Sequence, residues 1–253
     1  MRVFLTGASS GIGEALARHY AASGATLGLA ARRHERLSEL VAALPGKHDG
    51  YPLDVADATA LQTAAADFIA RHGCPDIVIA NAGISVGTLA EEAADLSAFQ
   101  RVFQTNVLGM VQTFQPFIAA MKARGSGRLV GIASVAGIRG LPGAGAYSAS
   151  KAASIAYLES LRVELRGSGV KVVTIVPGYI ATPMTAVNPY PMPFILAADE
   201  AARRFARAIE GGTSYTVIPW QMSVVAKLMR LLPNPVFDAI FARSGRKPRG
   251  LDL

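Results

Sequence analysis

Ser134, Tyr147 and Lys151 are the side chains on which a reaction could be built. Tyr147 and Lys151 stand four residues apart, so on a helix they share one face, a turn from each other. A free phenol has a pKa of roughly 10, too high for proton exchange near neutrality. A neighbouring ammonium favours the phenolate and lowers that value. Ser134 follows GRLVGIA (127–133), which reads as a strand whose end would free the hydroxyl to hydrogen-bond a substrate oxygen. Together they could move a proton to or from an oxygen. An ordinary surface helix could carry the same tyrosine and lysine, so the spacing by itself leaves both readings open.

The elements that must position these groups start at the N-terminus. RVFLT (2–6) reads as a buried strand and GASSGIGEALARHYAASG follows it. Gly7, Gly11 and Gly13 sit between that strand and a helix from about 11 to 23. Glycine allows a tight turn and lets a diphosphate reach the backbone, while the helix aims its first N–H groups at the anion. A second strand, 25–31, ends in Arg32 and Arg33. Dinucleotide folds place an acid near this point for the ribose of NAD, or an arginine for a 2′-phosphate. Ala31 holds the place of the acid, so the pattern favours NADP(H) over NAD(H), with Arg32 the nearer candidate. The alternative is a pair of solvated arginines.

A strand at 48–53 delivers Asp54 and Val55 into a loop, where Asp54 could accept from an adenine amino group. Asp57 reads as the cap of a helix over 57–72. After Pro75, DIVIA forms a strand that ends in Asn81-Ala82-Gly83, again where a ligand meets an open parallel sheet. The segment 84–97 reads as a loop bordering the substrate. A long helix spans 98–124 and contains Asn106 and Gly109, both poor helix residues. A break or a water-binding kink would explain them.

The tyrosine helix covers 147–168, and strand 170–176 leads to Pro177-Gly178. The proline-rich stretch 179–197 reads as a lid. Its Met184, Tyr190, Met192, Phe194 and Ile195 fit a medium or large hydrophobic substrate. Arg139, the one charge between Ser134 and Tyr147, could meet an acidic substrate group or reach solvent. With helices at 34–44 and 198–210 and a strand at 214–218, strands and helices alternate throughout. That pattern predicts an α/β fold: one doubly wound, Rossmann-type parallel sheet of about seven strands, with helices on both faces.

The tail after Pro219 departs from the pattern. Two short amphipathic segments, 221–232 and 236–242, precede Arg246, Lys247 and Arg249. They could pack on their own domain or a partner subunit, cover the pocket, or lie on a membrane. The expected division is a dinucleotide-binding catalytic domain, 1–218, and a C-terminal extension, 219–253.

Composition bounds these readings. Apolar residues make up 51% of the chain and charged ones 17%, enough for a sizeable core. A single cysteine, Cys74, gives no intrachain disulfide and no cysteine cluster, and the four histidines are scattered, so no metal site is expected. Met1 leads straight into RVFLTGASSG without a leader pattern, and no long apolar run marks a span; a cytoplasmic location is expected. The net charge of +7 would attract phosphates or anionic lipid. Basic residues without interleaved aromatics do not read as a nucleic-acid surface.

Taken in order, TGASSGIG (6–13), Asp54, NAG (81–83), Asn106, Ser134, YSASK (147–151), PG (177–178) and Thr182 resemble the short-chain dehydrogenase/reductase family, in its single-domain, NADP-preferring branch. The resemblance covers about 1–218. It implies cofactor contacts from Gly7, Ser9, Ser10, Gly11, Ile12 and Gly13 at the diphosphate, and from Asp54 and Val55 at the adenine. It places Asn81, Ala82 and Gly83 on the ribose side, with Pro177, Gly178, the Ile180 backbone and the Thr182 hydroxyl toward the nicotinamide. It makes Tyr147 the general acid/base and gives Lys151 two roles, lowering the phenol's pKa and holding the nicotinamide ribose. Ser134 becomes the substrate-orienting group and Asn106 the anchor of a proton-relay water. A homodimer or homotetramer acting on a small-molecule carbonyl or alcohol is implied. Two rival functions share these residues: a nucleotide sensor with little turnover, and a membrane-surface reductase of lipid-like substrates.

Overall fold

The first strand shows how the core is divided. In β1 (Arg2–Thr6) side chains alternate between the two faces of the sheet, so Val3 and Leu5 enter one apolar cluster and Phe4 another. The computed structural model describes residues 1–250. Its other sheet strands are β2 (Thr26–Ala31), β3 (Asp49–Pro52), β4 (Ile77–Ala80), β5 (Gly127–Ile132) and β6 (Val170–Pro177). A separate two-stranded ribbon, β7 (Ile180–Ala181) and β8 (Leu196–Ala197), precedes β9 (Tyr215–Ile218). The seven-stranded sheet has the order β3-β2-β1-β4-β5-β6-β9. All its pairings are parallel, as the strand–helix alternation predicts.

Helices α1 (Gly11–Ala22), α2 (His34–Ala43) and α8 (Ala198–Gly211) bury Leu16, Tyr20, Leu37 and Phe205 with Val3 and Leu5. On the other face, α3 (Ala58–His72), α5 (Gly109–Arg124) and α6 (Gly145–Glu164) bury Phe68, Phe114, Phe117 and Leu158 around Phe4. Fully burying one such side chain is worth about 1.5–3 kcal/mol. Asp57 caps α3 as expected, accepting from the Ala60 N–H at 3.0 Å.

The long helix expected over 98–124 is two helices, α4 (Asp95–Phe103) and α5, joined by a π-turn at Gln104–Leu108. The two poor helix residues have separate causes. Asn106 lies in the wide turn, a form common at functional sites. Gly109 lets α5 approach the turn after β3, since a β-carbon there would sit 2.6 Å from the Val55 side chain.

The stretch expected to be a loose lid has local structure. β7 and β8 pair in parallel, and Thr182 opens α7 (Pro183–Ala186) with a capping box shared with Thr185. Beyond β9 come α9 (Trp220–Leu231) and α10 (Asn234–Phe241). Met222 of α9 packs with Ala133, Val135 and Val176 at the strands' carboxyl ends. Arg139 meets neither a substrate pocket nor open solvent. It donates to the carbonyls of Met229 and Leu232 at 2.8 and 2.5 Å and to Asn234 Oδ1 at 2.6 Å, and lies 4.0 Å over the Phe237 ring. Orphan carbonyls at the end of a helix attract such a cation, which sequence alone could not reveal.

Candidate active site

The carboxyl ends of β1, β2, β4, β5 and β6 open into a cavity of about 510 Å³. The crossover reverses at β1/β4, the position where open α/β sheets hold ligands. Of the residues assigned to the cofactor or the reaction, all except Gly13 and Asn106 line this cavity; of the side chains expected in the lid, Met184 does, whereas Tyr190, Met192, Phe194 and Ile195 do not.

Gly13 acts from behind. A β-carbon on it would overlap the Gly7 carbonyl and the Asn81 amide nitrogen. That amide donates to the carbonyls of Thr6 and Gly7, both at 3.1 Å, stapling the first turn to the end of β4. The Asn81 amide nitrogen is therefore committed to the protein. Ser10 precedes α1 in extended conformation without a side-chain cap, so the first N–H groups of the helix are left for another acceptor. A glycine turn closed by backbone contact, with an uncapped helix start lining the same cavity, fits a diphosphate.

Arg33 lies across that turn. Its Nη2 donates to Ser10 Oγ at 2.7 Å and Ser9 Oγ at 3.0 Å, while Nε reaches Ser9 Oγ at 3.3 Å. Partial burial holds its pKa below the usual value, and the nearby Arg36 and Arg32 act in the same direction. Arg32 stands apart, 4.0 Å from Asp54, and both side chains are well exposed. Asp54 also accepts from the Ala56 N–H at 2.9 Å, which fixes the turn carrying Val55. The geometry thus joins Arg33 to the glycine turn and Arg32 to the far wall.

At the other end of the cavity, Ser134 closes β5 and Tyr147 and Lys151 come from the first two turns of α6. Lys151 is buried; its Nζ donates to the Ile132 carbonyl at 2.8 Å and lies 5.8 Å from the centre of the Tyr147 ring. Burial pulls its pKa down to about 8. Burial also pushes the Tyr147 phenol up, and the nearby Ser134 hydroxyl pulls it back. No well-formed hydrogen bond joins those two hydroxyls; Ser134 Oγ accepts from the Ala136 N–H at 3.2 Å. In the protein alone, desolvation therefore outweighs any help the ammonium gives the phenolate.

Asn106 stands behind the wall. Its Oδ1 accepts from the Ile84 N–H at 2.8 Å, and Nδ2 donates to the Ile84 carbonyl and Ser150 Oγ, both at 3.0 Å. Ser150 in turn donates to the Tyr147 carbonyl at 2.8 Å. Gly83 separates Asn106 from the lysine; a β-carbon there would lie 3.3 Å from Asn106 Oδ1 and 3.6 Å from Lys151 Nζ.

Sequence reasoning missed Thr105 and Ile132, which also line the cavity; Met184, Thr185 and Val187 come from the stretch expected to be a lid. Thr105 sits in the π-turn, and Ile132 ends β5 just before Ser134.

The end of the tail forms a strap, which fits one of the placements the sequence left open. Residues 243–249 cross the loops beside Tyr147. The Gly87 N–H donates to the Pro248 carbonyl at 2.9 Å, and buried Lys247 donates to the Met184 carbonyl at 3.0 Å. Arg249 bonds Asp95 at 2.9 Å and Glu92 at 3.2 Å. Gly245 packs on Tyr190, whose phenol is pushed up to about 12 by burial and then by the phenols of Tyr179 and Tyr147.

Comparisons with known proteins agree with this geometry. The family model for short chain dehydrogenases matches residues 1–190. An "Uncharacterized oxidoreductase" of Myxococcus xanthus (strain DK1622) is 40% identical over 244 residues, 94% of this chain and 95% of the relative. L-Sorbose reductase from Gluconobacter frateurii, solved with NADPH and L-sorbose, is 25% identical with a TM-score of 0.78, covering 86% of this chain and 94% of its own. A short-chain dehydrogenase/reductase from Burkholderia phymatum, solved with NAD, has a TM-score of 0.83 at 24% identity, over 99% and 98% of the two chains, and so shares the fold. The chain belongs to the short-chain dehydrogenase/reductase family and is an oxidoreductase of that family.

Proposed function

We propose that the protein is an NADP(H)-dependent oxidoreductase that interconverts a carbonyl and a secondary alcohol on a small to medium hydrophobic substrate. One observation carries the reading: Ser134, Tyr147 and Lys151 line the same cavity as the glycine turn and the uncapped start of α1. Arg33 on that turn, with Ala31 where a ribose-binding acid would stand, supports NADP(H) over NAD(H). The Gluconobacter reductase, which binds NADPH, is consistent with it.

When bound, the nicotinamide supplies or accepts the hydride. The chain does the rest. Gly7 to Gly13, with Ser9, Ser10 and Ile12, hold the diphosphate. Asp54 and Val55 wall the adenine, while Asn81 to Gly83 border the ribose. Pro177, Gly178, Ile180 and Thr182 border the nicotinamide. As charge grows on the substrate oxygen, the Ser134 and Tyr147 hydroxyls donate to it, and Tyr147 passes its proton. Lys151, whose burial keeps its ammonium close to its bonding partners, holds the ribose and favours the phenolate once substrate completes the site. Asn106 fixes the π-turn beside the lysine and anchors the route by which the proton is replaced.

Within this proposal the protein is cytoplasmic and a homodimer or homotetramer. Phe99, Leu108 and Val163, exposed on α4, the π-turn and α6, supply apolar surface for such a contact. The test is NADPH oxidation with a panel of ketones, aldehydes, steroids and acyl thioesters, run beside Tyr147→Phe. Wild-type turnover that falls about 10²–10⁴-fold in the variant supports the acid. Undiminished turnover in the variant removes Tyr147 from the mechanism.

A further inference from the structure

The outer face of α9 is apolar and uncovered. Trp220, Val224, Leu228 and Leu231 are 68, 48, 59 and 79% exposed. At 100° per residue they fall within about 80° of the helix circumference. Met222 and Ala226, on the opposite side, are buried. Lys227 and Arg230 flank the apolar stripe on one edge, and α10 adds exposed Val236 and Ile240. Between Pro219 and Gly250, Lys247 is buried and Arg249 is paired with Asp95 and Glu92, which leaves Lys227, Arg230, Arg243 and Arg246 against a single carboxylate, Asp238.

We propose that this face docks on an anionic lipid bilayer, lying in its surface with Trp220 and Leu231 among the headgroups. An amphipathic helix with large apolar side chains beside basic ones binds in this way, and tryptophan favours the interface. The 12 residues of α9 reach about 18 Å, too short to cross the roughly 30 Å hydrocarbon core. Charge decides between lipid and a second copy of the chain. A two-fold contact through this stripe would set Lys227 and Arg230 near their own images, with only Asp238 to offset them. An anionic headgroup layer complements them instead.

The docking face also borders the proposed substrate opening. Arg230 donates to the Ile138 carbonyl at 3.1 Å, and Arg139 clasps the end of α9, so the helix is fastened to the segment that follows Ser134. A substrate dissolved in the bilayer would therefore enter beside the docked surface. That last step rests on the function proposed above; the lipid contact does not.

Trp220 is the only tryptophan of the chain, so its emission reports on this face alone. The full-length protein is titrated with phosphatidylcholine–phosphatidylglycerol vesicles and with phosphatidylcholine vesicles, and bound protein is measured by sedimentation. The expected result is a blue shift and co-sedimentation with the anionic vesicles only, reversed by high salt. Lys227→Gln should weaken partitioning about fivefold. Leu228→Asp with Leu231→Asp should lose it while retaining NADPH binding, which shows that the variant is folded. Unshifted emission with anionic vesicles overturns the proposal. So does a blue shift that grows with protein concentration in the absence of lipid and disappears in Leu231→Asp, which would assign the face to a second copy. Turnover without a lipid shift would sink the docking surface alone; a lipid shift without turnover would sink the reaction alone.

Discussion

Arg33 reaches back from the end of β2 and donates to the Ser10 hydroxyl at 2.7 Å, laying a guanidinium beside the uncapped start of α1. Under the proposed function the helix start faces the diphosphate, and Arg33, at the end of β2, is placed for the 2′-phosphate. Arg32, one residue earlier, faces Asp54 instead, at 4.0 Å.

Arg33→Ala should therefore weaken NADPH binding by roughly ten- to a hundredfold, the worth of a hydrogen bond to a charged group. NADH binding should fall much less, and Arg32→Ala should have the smaller effect on either cofactor. Fluorescence titration of both cofactors against both variants checks this. Equal losses for NADPH and NADH would remove the 2′-phosphate from the argument.

The buried ammonium of Lys151 makes stability depend on pH in the cofactor-free protein. Its pKa is about 8 in the fold and 10.5 when unperturbed. Between those values the unfolded chain binds more protons, so stability rises with pH. The penalty is complete below about pH 8 and gone above about 10.5; its full size is on the order of 3 kcal/mol. Lys151→Met should accordingly be more stable than wild type near pH 7, with the gap closing toward pH 10. Urea midpoints across that range measure it, and a gap that does not change with pH would contradict the shifted lysine.

Asn106→Ala should cost on the order of 3 kcal/mol, because it strands the N–H and carbonyl of Ile84 inside the protein. Ser150→Ala, which removes only one of the Asn106 partners, should cost about 1 kcal/mol. Equal denaturation midpoints for the two variants would mean that the π-turn does not depend on the asparagine.

Arg249→Ala cuts the strap from Asp95 and Glu92. Exposed ion pairs contribute only about 0–1 kcal/mol, so global stability should hardly change. Loosening the loop at 84–97 should instead raise KM for the carbonyl substrate several-fold and leave NADPH affinity intact. Steady-state kinetics with a separate NADPH titration distinguish the two, and an unchanged KM would mean the strap does not shape the substrate side.

The fold was legible because its signals are local and repeated. Strand ends at Thr6, Ala31 and Ala80 are each followed by a turn and a helix, and the period-2 pattern of β1 already separates Phe4 from Val3 and Leu5. The residues that line the glycine-turn end of the cavity could be picked out for the same reason, since they cluster within single βα turns. What escaped depends on contacts between distant segments. Which of two adjacent arginines lies over the glycine turn depends on the twist of β2 as it leaves the sheet. Arg139 could not be assigned from its own surroundings, because its partners lie some ninety residues later on α9 and α10. Asn106 and Gly109 looked like one defect in one helix. They are two: a wide turn, and a close approach to Val55.

The strap gives the molecule an order of assembly. Every residue lining the dinucleotide cavity precedes Asn188, whereas the segment that ties Gly87, Met184 and Asp95 together begins after Phe241. During vectorial synthesis the cofactor chamber can close while the strap is still inside the ribosome. A nascent chain stopped between the two would have the groups to grip a dinucleotide and no fastening over the substrate loops. Under the proposed function, such a truncated product would keep Ser134, Tyr147 and Lys151 and lack only the tie between its substrate loops.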